Sequence, residues 1–105
     1  MTLSPIVGAA LEAAVSKLEN WEVKDGKLVR RFRFADGFSA AFAFMTRVAM
    51  VAETNNHHPE WSNVYDRVEI RLTTHDVANG SITEQDLELA RAIDRIAGTP
   101  SDRNN

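Results

Sequence analysis

The three histidines of the chain are its side chains best suited to acid–base chemistry. They are His57, His58 and His75, and none of them falls within a helical stripe of apolar residues. An unperturbed imidazole changes charge at about pH 6.5, so it can both give and take a proton near neutral pH. A solvent-exposed histidine without a chemical role is the alternative for each of them. Their grouping in the middle of the chain makes an acid–base site a hypothesis worth testing.

The adjacent pair His57–His58 is followed by Pro59, which favours an extended backbone at His58. Neighbouring side chains of an extended chain point in opposite directions, so both could reach one ligand only if the loop wraps around it. Three histidines could also hold a catalytic zinc ion. Their spacing matches no helical pair such as H-E-x-x-H, and an adjacent pair in extended backbone is a poor chelate. We therefore expect no metal site.

Glu53 is the acidic residue nearest to the histidine pair. It lies in the last turn of a predicted helix, where the macrodipole disfavours a negative charge by up to about 1 kcal/mol. Capping therefore explains Glu53 badly. We therefore interpret Glu53 as a carboxylate that orients His57 or His58, and a solvated surface carboxylate is the alternative.

Asp86 lies three residues after Thr83, in a pattern that resembles a capping box with Asp in place of Glu. It also precedes Leu89 and Ala90 by three and four residues, which places it on the inward side of a predicted helix. The residues alone leave both interpretations of Asp86 open, a helix cap and a site residue.

Aromatic and hydroxyl side chains flank the histidines. Trp61 and Tyr65 could each stack on a flat heterocycle, although a place in the core is the preferred interpretation for Trp61. Thr73 and Thr74, before His75, are explained by strand propensity alone.

Three helices are predicted to surround these residues. Ser4–Pro5 is typical of a helix start, and that helix is expected to run to about Leu18. A second helix follows Asp36–Gly37 and ends near Asn55–Asn56, and a third opens at Thr83 and ends at Gly98. The second carries an apolar stripe at helical spacing that we expect to face the core: Phe38, Ala41, Phe42, Met45, Val48, Ala49 and Ala52.

Four extended segments alternate with the helices in the order α-β-β-α-β-β-α. Trp21–Val23 and Leu28–Phe34 are joined by Asp25–Gly26, a strong hairpin signal. Trp61–Tyr65 is followed by a strand around Ile70 that alternates apolar and charged residues. One polar face per strand predicts a two-layer α+β sandwich, with a four-stranded antiparallel sheet and the helices on one face. The polar face is expected to meet water or another subunit.

The composition indicates one domain without disulfides. The chain has 105 residues, no cysteine and a net charge of −3. We expect a domain over residues 1–98, a loose tail over 99–105 and a cytoplasmic location. No signal peptide or apolar span is apparent, so no membrane partner is expected. The mild negative charge disfavours nucleic acid as a partner.

The stretch from Glu53 through Pro59, ETNNHHP, resembles the pterin-4a-carbinolamine dehydratase family. The family pattern is an acidic residue, three positions, two histidines and a proline, followed by an aromatic residue, a third histidine and an aspartate. This sequence matches all seven constrained positions within residues 53–86. The resemblance extends to Trp21, Arg31–Phe32, Met45–Ala49 and the helix around Ile93–Asp94. The loop 77–82 departs from it, being longer than usual by a residue or two, which affects the alignment of Asp86.

The resemblance implies the same α+β fold, a homodimer or homotetramer, and a defined reaction. That reaction is the dehydration of 4a-hydroxytetrahydrobiopterin to quinonoid dihydrobiopterin, which returns the pterin of aromatic amino acid hydroxylases to its cycle. It requires no metal, nicotinamide or flavin. The resemblance implies His57 and His75 as acid and base, His58 as a positioning group and Glu53 as their carboxylate. The resemblance also implies that the pterin is bound at these positions: Pro59, Trp61, Thr74, Asp76, Val77 and Asp86. A dehydratase-like binding module that serves another protein as dimerisation cofactor or assembly helper is the alternative.

Overall fold

A computed structural model describes residues 3–77 and 80–98. It confirms the predicted order of elements and the two-layer α+β fold. The elements are α1 (Gly8–Ser16), β1 (Glu22–Lys24), β2 (Lys27–Arg33), α2 (Phe38–Asn55), β3 (Glu60–Val64), β4 (Arg67–Leu72) and α3 (Glu84–Ala97). The predicted tail 99–105 and part of the loop 77–82 lie outside the described residues.

The four strands form one antiparallel sheet in the order β1-β2-β4-β3. Asp25 and Gly26 both have positive φ, at 54° and 77°, as a two-residue hairpin turn between twisted strands requires. The antiparallel pairing of β3 with β4 brings the start of β3 beside the end of β4. The segments that carry all three histidines therefore meet at one end of the sheet.

One face of the sheet packs on the helices and forms the core. Its inward side chains include Leu28 and Phe32 of β2 and Ile70 and Leu72 of β4, all buried. Phe44 of α2 lies between Phe32 and Phe34 of the sheet, with ring centroids 4.8 and 5.0 Å away. Rings at this separation add to the stabilisation that burial of their apolar surface provides.

The predicted apolar stripe of α2 is partly wrong. Phe38 and Phe42 are 51% and 56% exposed and Ala49 is also exposed, whereas Phe44, outside the stripe, is fully buried. The buried face consists of Ala41, Phe44, Val48 and Ala52. Apolar residues run almost all the way around the first half of this helix, so the spacing alone could not select the buried face.

The predicted start of α1 is also wrong. The helix begins at Gly8 and ends at Ser16, with Val7 at the N-cap and no side-chain cap. The backbone N–H of Ile6 donates to the carbonyl of Ile82, 2.8 Å away. That bond holds the chain extended where Ser4 and Pro5 were expected to start the helix.

Asp94 links the third helix to the first hairpin. Its carboxylate accepts from the indole N–H of Trp21 at 2.9 Å and from the Arg30 guanidinium at 2.6 Å. Arg30 is buried, its guanidinium carbon lies 4.2 Å from the centroid of the Phe32 ring, and its Nε has no hydrogen-bond partner within residues 3–77 and 80–98. A buried charge pair of this kind is costly to break, because the remaining partner keeps an uncompensated charge.

The other face of the sheet carries an ion-pair network rather than a second layer of the described chain. Glu69 accepts from Arg71 at 2.6 Å and from Arg31 at 3.0 Å. Glu60 accepts from Lys27 at 2.6 Å and lies 3.8 Å from Arg71. This polar face agrees with the strand alternation read from the sequence. No helix among the described residues has the length and apolar character needed to cross a membrane.

The ion-pair network makes the stability of the fold depend on acid. The hydrogen bond from Lys27 holds the pKa of Glu60 below its usual value, and the hydrogen bond from Arg71 does the same for the pKa of Glu69. Groups with lowered pKa contribute stability that is present above the unfolded-state pKa and lost as the pH falls through the folded-state pKa. Both carboxylates are about one-third exposed, so the effect is moderate and salt-screened.

We therefore expect the Glu60→Gln/Glu69→Gln double variant to lose less stability than the wild type on acidification below pH 4.5, the ordinary value for these groups. Urea unfolding at a series of pH values measures the difference. It should shrink in high salt, because the pairs are near the surface. Parallel stability curves for the two proteins would contradict the assignment.

Candidate active site

The end of α2 fixes the position of His57. Asn56 adopts a left-handed conformation with φ 52°, and its N–H donates to the carbonyl of Glu53 at 3.1 Å. The backbone N–H of His57 reaches back to the carbonyl of Ala52 at 3.0 Å. These two bonds form a Schellman motif, in which asparagine replaces the usual glycine. The first histidine therefore follows a well-defined helix end.

His57 and Asp86 form the most enclosed pair of the site. The Nε2 atom of His57 lies 2.6 Å from Oδ1 of Asp86, and the two side chains are 10% and 0% exposed. The residues are 29 positions apart in sequence. The Nδ1 atom of His57 makes no hydrogen bond to any described residue and keeps contact with solvent. One ring nitrogen thus meets a buried carboxylate and the other remains available.

Asp86 acts as a helix cap and as a histidine partner at once. The N–H of Thr83 donates to its Oδ2 at 2.8 Å, and the N–H of Gln85 donates to Thr83 Oγ1 at 3.2 Å. Thr83 and Asp86 together form the predicted capping box at the start of α3. The hydroxyl of Thr74 also donates to Oδ2, at 2.7 Å. The interpretation as a helix cap is therefore confirmed, and the same carboxylate contacts His57, while a role of Asp86 in a site stays a prediction.

His58 and Glu53 form a second, exposed pair. The Nε2 atom of His58 lies 2.9 Å from Oε1 of Glu53, and more than half of each side chain is exposed. The glutamate lies in the last turn of α2, five residues before the histidine. The expected contact between Glu53 and a histidine is present, and it goes to His58 rather than to His57.

His75 has a different carboxylate partner, Glu60. Its Nε2 atom lies 3.4 Å from Oε2 of Glu60, and its side chain is 71% exposed. Glu60 is the first residue of β3, and His75 lies just beyond Thr74, whose backbone pairs with Ser81 through N–O distances of 2.8 and 3.2 Å. Each histidine of the site thus has its own carboxylate.

The other expected site residues surround this end of the sheet with differing exposure. Pro59 is half-buried, and Trp61 is half-buried against the core, as its preferred interpretation predicted. Asp76 is exposed and Val77 is half-buried in the turn after His75. Thr74 differs most from expectation, because its side chain is 1% exposed and engages Asp86. Contact of these residues with a pterin stays a prediction.

Within residues 3–77 and 80–98, no three histidine, aspartate or glutamate side chains are grouped so that they could hold a metal ion. Each histidine nitrogen that has a partner is directed at a single carboxylate instead. The donor set therefore resembles three acid–base pairs more than a metal centre.

Sequence reasoning missed Glu60 as a group beside a histidine. Its signal was weak, because Glu60 precedes the predicted strand Trp61–Tyr65 and is one of many charged residues in the chain. The pairing of β3 with β4, which no local pattern reports, brings it next to His75. The hydroxyl contact of Thr74 with Asp86 was missed for the same reason.

The family model that matches this chain and two of its relatives carry the same description, that of a pterin carbinolamine dehydratase. The family model for pterin 4 alpha carbinolamine dehydratase matches residues 4–96. Two relatives provisionally named pterin-4-alpha-carbinolamine dehydratases come from Synechococcus sp. strain WH7803 and Rhizorhabdus wittichii. The first is 53% identical over 85 residues, which cover 81% of this chain and 88% of that protein. The second is 48% identical over 99 residues, which cover 92% and 99%.

A solved structure is similar over nearly the same region. It is described as a transcriptional coactivator/pterin dehydratase from Brucella melitensis. The structures superpose with a TM-score of 0.83 at 39% sequence identity, covering 90% of this chain and all of the other. Sequence and fold therefore agree: this chain belongs to the pterin 4 alpha carbinolamine dehydratase family.

Proposed function

We propose that this protein dehydrates 4a-hydroxytetrahydrobiopterin, the 4a-carbinolamine, to quinonoid dihydrobiopterin and water. The observation that carries the proposal is the convergence of three histidine–carboxylate pairs at one end of the sheet. In the reaction the bond between C4a and its hydroxyl oxygen breaks. One proton goes to the departing oxygen and one leaves the neighbouring ring nitrogen. The protons balance, so an acid and a base suffice and no redox partner is needed.

His57 is the base in this proposal. Its Nε2 faces the buried Asp86, so its Nδ1 is the nitrogen that can accept a proton from the pterin ring. The carboxylate then stabilises the positive imidazolium that results, since no other charged group contacts Asp86 among the described residues. A buried charge pair with few competing partners provides a strong interaction, because the local dielectric is low.

His75 is the acid. Its partner Glu60 also accepts from Lys27 at 2.6 Å and lies 3.8 Å from Arg71. Those cations offset much of the carboxylate's charge, so Glu60 holds an imidazolium less strongly than Asp86 does. The exposed His75 can therefore release its proton to the departing hydroxyl oxygen. A solvent-accessible acid also regains its proton readily from water.

His58 and its partner Glu53 position the pterin. Both side chains are exposed, which suits contact with a ligand that arrives from solvent. Pro59 restricts the backbone before β3, and we assign the edge of the pterin ring to the segments around Pro59 and around Thr74, Asp76 and Val77. Trp61 supports this segment from the core side.

The test is a dehydration assay with synthetic carbinolamine and the purified chain. Acceleration over the spontaneous rate supports the proposal. A second function, that of a binding module, is favoured by the description of the Brucella melitensis structure as a transcriptional coactivator. A stable stoichiometric protein partner in a pull-down, together with no dehydratase activity, would select the binding module instead.

We also propose a homodimer or homotetramer, in the cytoplasm, that serves an aromatic amino acid hydroxylase by returning its pterin. The exposed aromatic pair of α2 supports self-assembly, since Phe38 and Phe42 contact each other with ring centroids 5.9 Å apart and leave about half their surface in solvent. Exposed apolar patches of this kind are typical of protein interfaces. The absence of cysteine fits a reducing compartment.

We expect the Phe38→Ser/Phe42→Ser variant to lower the molar mass in solution, because it removes apolar surface that assembly would bury. Light scattering after size exclusion measures the mass. Val7→Ser, which changes an exposed apolar residue outside α2, is the control and should leave the mass unchanged. A wild type that is already monomeric at micromolar concentration would refute the assembly.

A further inference from the structure

We infer that Thr74 and Thr83 are positioning residues for catalysis: their hydroxyls form a directed hydrogen-bond chain through Asp86 that fixes which nitrogen of His57 takes the proton. The inference rests on the proposed function for its catalytic meaning. It goes beyond that function by assigning a role to two threonines with buried side chains, and by making the cap of α3 part of the active site.

The chain is enclosed along its whole length. Thr83 and Asp86 are 0% exposed and Thr74 is 1% exposed, so none of the three exchanges its hydrogen bonds with bulk water. The two hydroxyl oxygens are 2.7 Å apart, and Thr74 Oγ1 is 2.7 Å from Asp86 Oδ2. Buried polar groups of this kind are costly to leave unpaired, so each has a defined partner.

The direction of each hydrogen bond follows from the number of protons available. An ionised carboxylate only accepts, so Thr74 gives its single hydroxyl proton to Asp86. Thr74 then has only acceptor capacity left, and the bond between the two hydroxyls must be donated by Thr83. Thr83 can do so because its own oxygen accepts from the backbone N–H of Gln85. Every proton of the chain therefore points toward Asp86.

The Asp86 carboxylate also determines the orientation of the hydrogen bond that it makes with His57. Its Oδ2 is already occupied by the Thr83 N–H and the Thr74 hydroxyl, which leaves Oδ1 to accept from His57 Nε2 at 2.6 Å. The proton of neutral His57 is thus held on Nε2, and the lone pair of Nδ1 is kept for the substrate.

The test compares Thr74→Val with Thr74→Ser. Valine keeps the shape of threonine but removes the hydroxyl, while serine keeps it. We expect Thr74→Val to lower kcat by about tenfold or more, the scale of one hydrogen bond to a charged group, with KM little changed. Nitrogen-15 spectra of the His57 ring should move from one dominant Nε2–H tautomer to a mixture. Thr74→Ser should keep both the rate and the spectrum.

Thr73→Val is the matched control, since Thr73 is also buried but its hydroxyl donates to the carbonyl of Ser81 at 3.4 Å and not to Asp86. It should leave the His57 spectrum unchanged. Thr83→Ser against Thr83→Ala gives a second comparison if Thr74→Val folds poorly. A Thr74→Val protein that folds and keeps both kcat and the wild-type tautomer would overturn the inference.

The two readouts separate this inference from the proposed function. Absence of dehydratase activity in the wild type would refute the function, while the tautomer spectra of the same proteins would still test the hydrogen-bond chain. A wild-type spectrum with the proton on Nδ1 would refute the chain even in an active enzyme.

Discussion

Replacing His57 with alanine should lower kcat for carbinolamine dehydration by about 10²- to 10⁴-fold, the usual contribution of a positioned acid or base. The expectation follows from the geometry of His57, whose Nε2 is held by the buried Asp86 while its Nδ1 remains open. Solvent water cannot easily replace this base, because its charged form depends on the carboxylate behind it. Stopped-flow kinetics of the variant and the wild type measure the change.

The exposed histidines give the comparison that makes this prediction specific. His58→Ala should raise KM more than it lowers kcat, since His58 is assigned to positioning the pterin. A His57→Ala protein that keeps wild-type kcat would remove His57 from the mechanism. A rise of similar size in KM, with kcat unchanged, would show that His57 binds the pterin rather than reacts with it.

Asp86→Asn is expected to have the second large effect, and it acts on stability and turnover together. The amide removes the negative charge opposite His57 and places N–H hydrogens where the carboxylate accepted three donors. Leaving a buried polar group without its hydrogen-bond partner costs about 1–3 kcal/mol of unfolding free energy. Since His57 also loses its partner, kcat should fall by about 10²-fold. Urea unfolding and stopped-flow kinetics measure the two effects.

Asp94→Asn provides the control for Asp86→Asn, because both aspartates lie on α3 and both pair with a nitrogen-bearing side chain of another element. Asp94 contacts Arg30 and Trp21, away from the histidines, so its variant should lose stability but keep its turnover below the temperature at which it unfolds. Equal losses of kcat in the two variants would indicate that turnover follows overall stability rather than the His57–Asp86 pair.

The fold was predictable where local chemistry determines it. The Asp25–Gly26 turn, the alternation in β4 and the cap of α3 are short-range patterns, and all three occur as expected. The prediction of the start of α1 failed because that start depends on a long-range backbone hydrogen bond from Ile6 to Ile82. The prediction of the buried face of α2 failed because this helix has apolar residues on most sides, so its sequence does not indicate which side is buried.

The grouping of the three histidines with carboxylates was predictable from the sequence, but the pairing of each histidine with its carboxylate was not. The spacing from Glu53 to Asp86 identified the three histidines and two of their carboxylates. It could not indicate that Asp86 meets His57, Glu53 meets His58 and Glu60 meets His75. Those contacts depend on how the ends of α2, β3, β4 and α3 come together. The expectation that the chain belongs to the dehydratase family is confirmed by the family model and by relatives of about half identity.

A stopped-flow assay of the purified wild type tests whether this chain is a working carbinolamine dehydratase. Synthetic 4a-hydroxytetrahydropterin should lose water faster with the protein than without it, at a rate proportional to protein concentration. The His57→Ala variant at the same concentration should approach the uncatalysed rate. A correctly folded wild-type protein that leaves the spontaneous rate unchanged would contradict the proposed dehydratase activity.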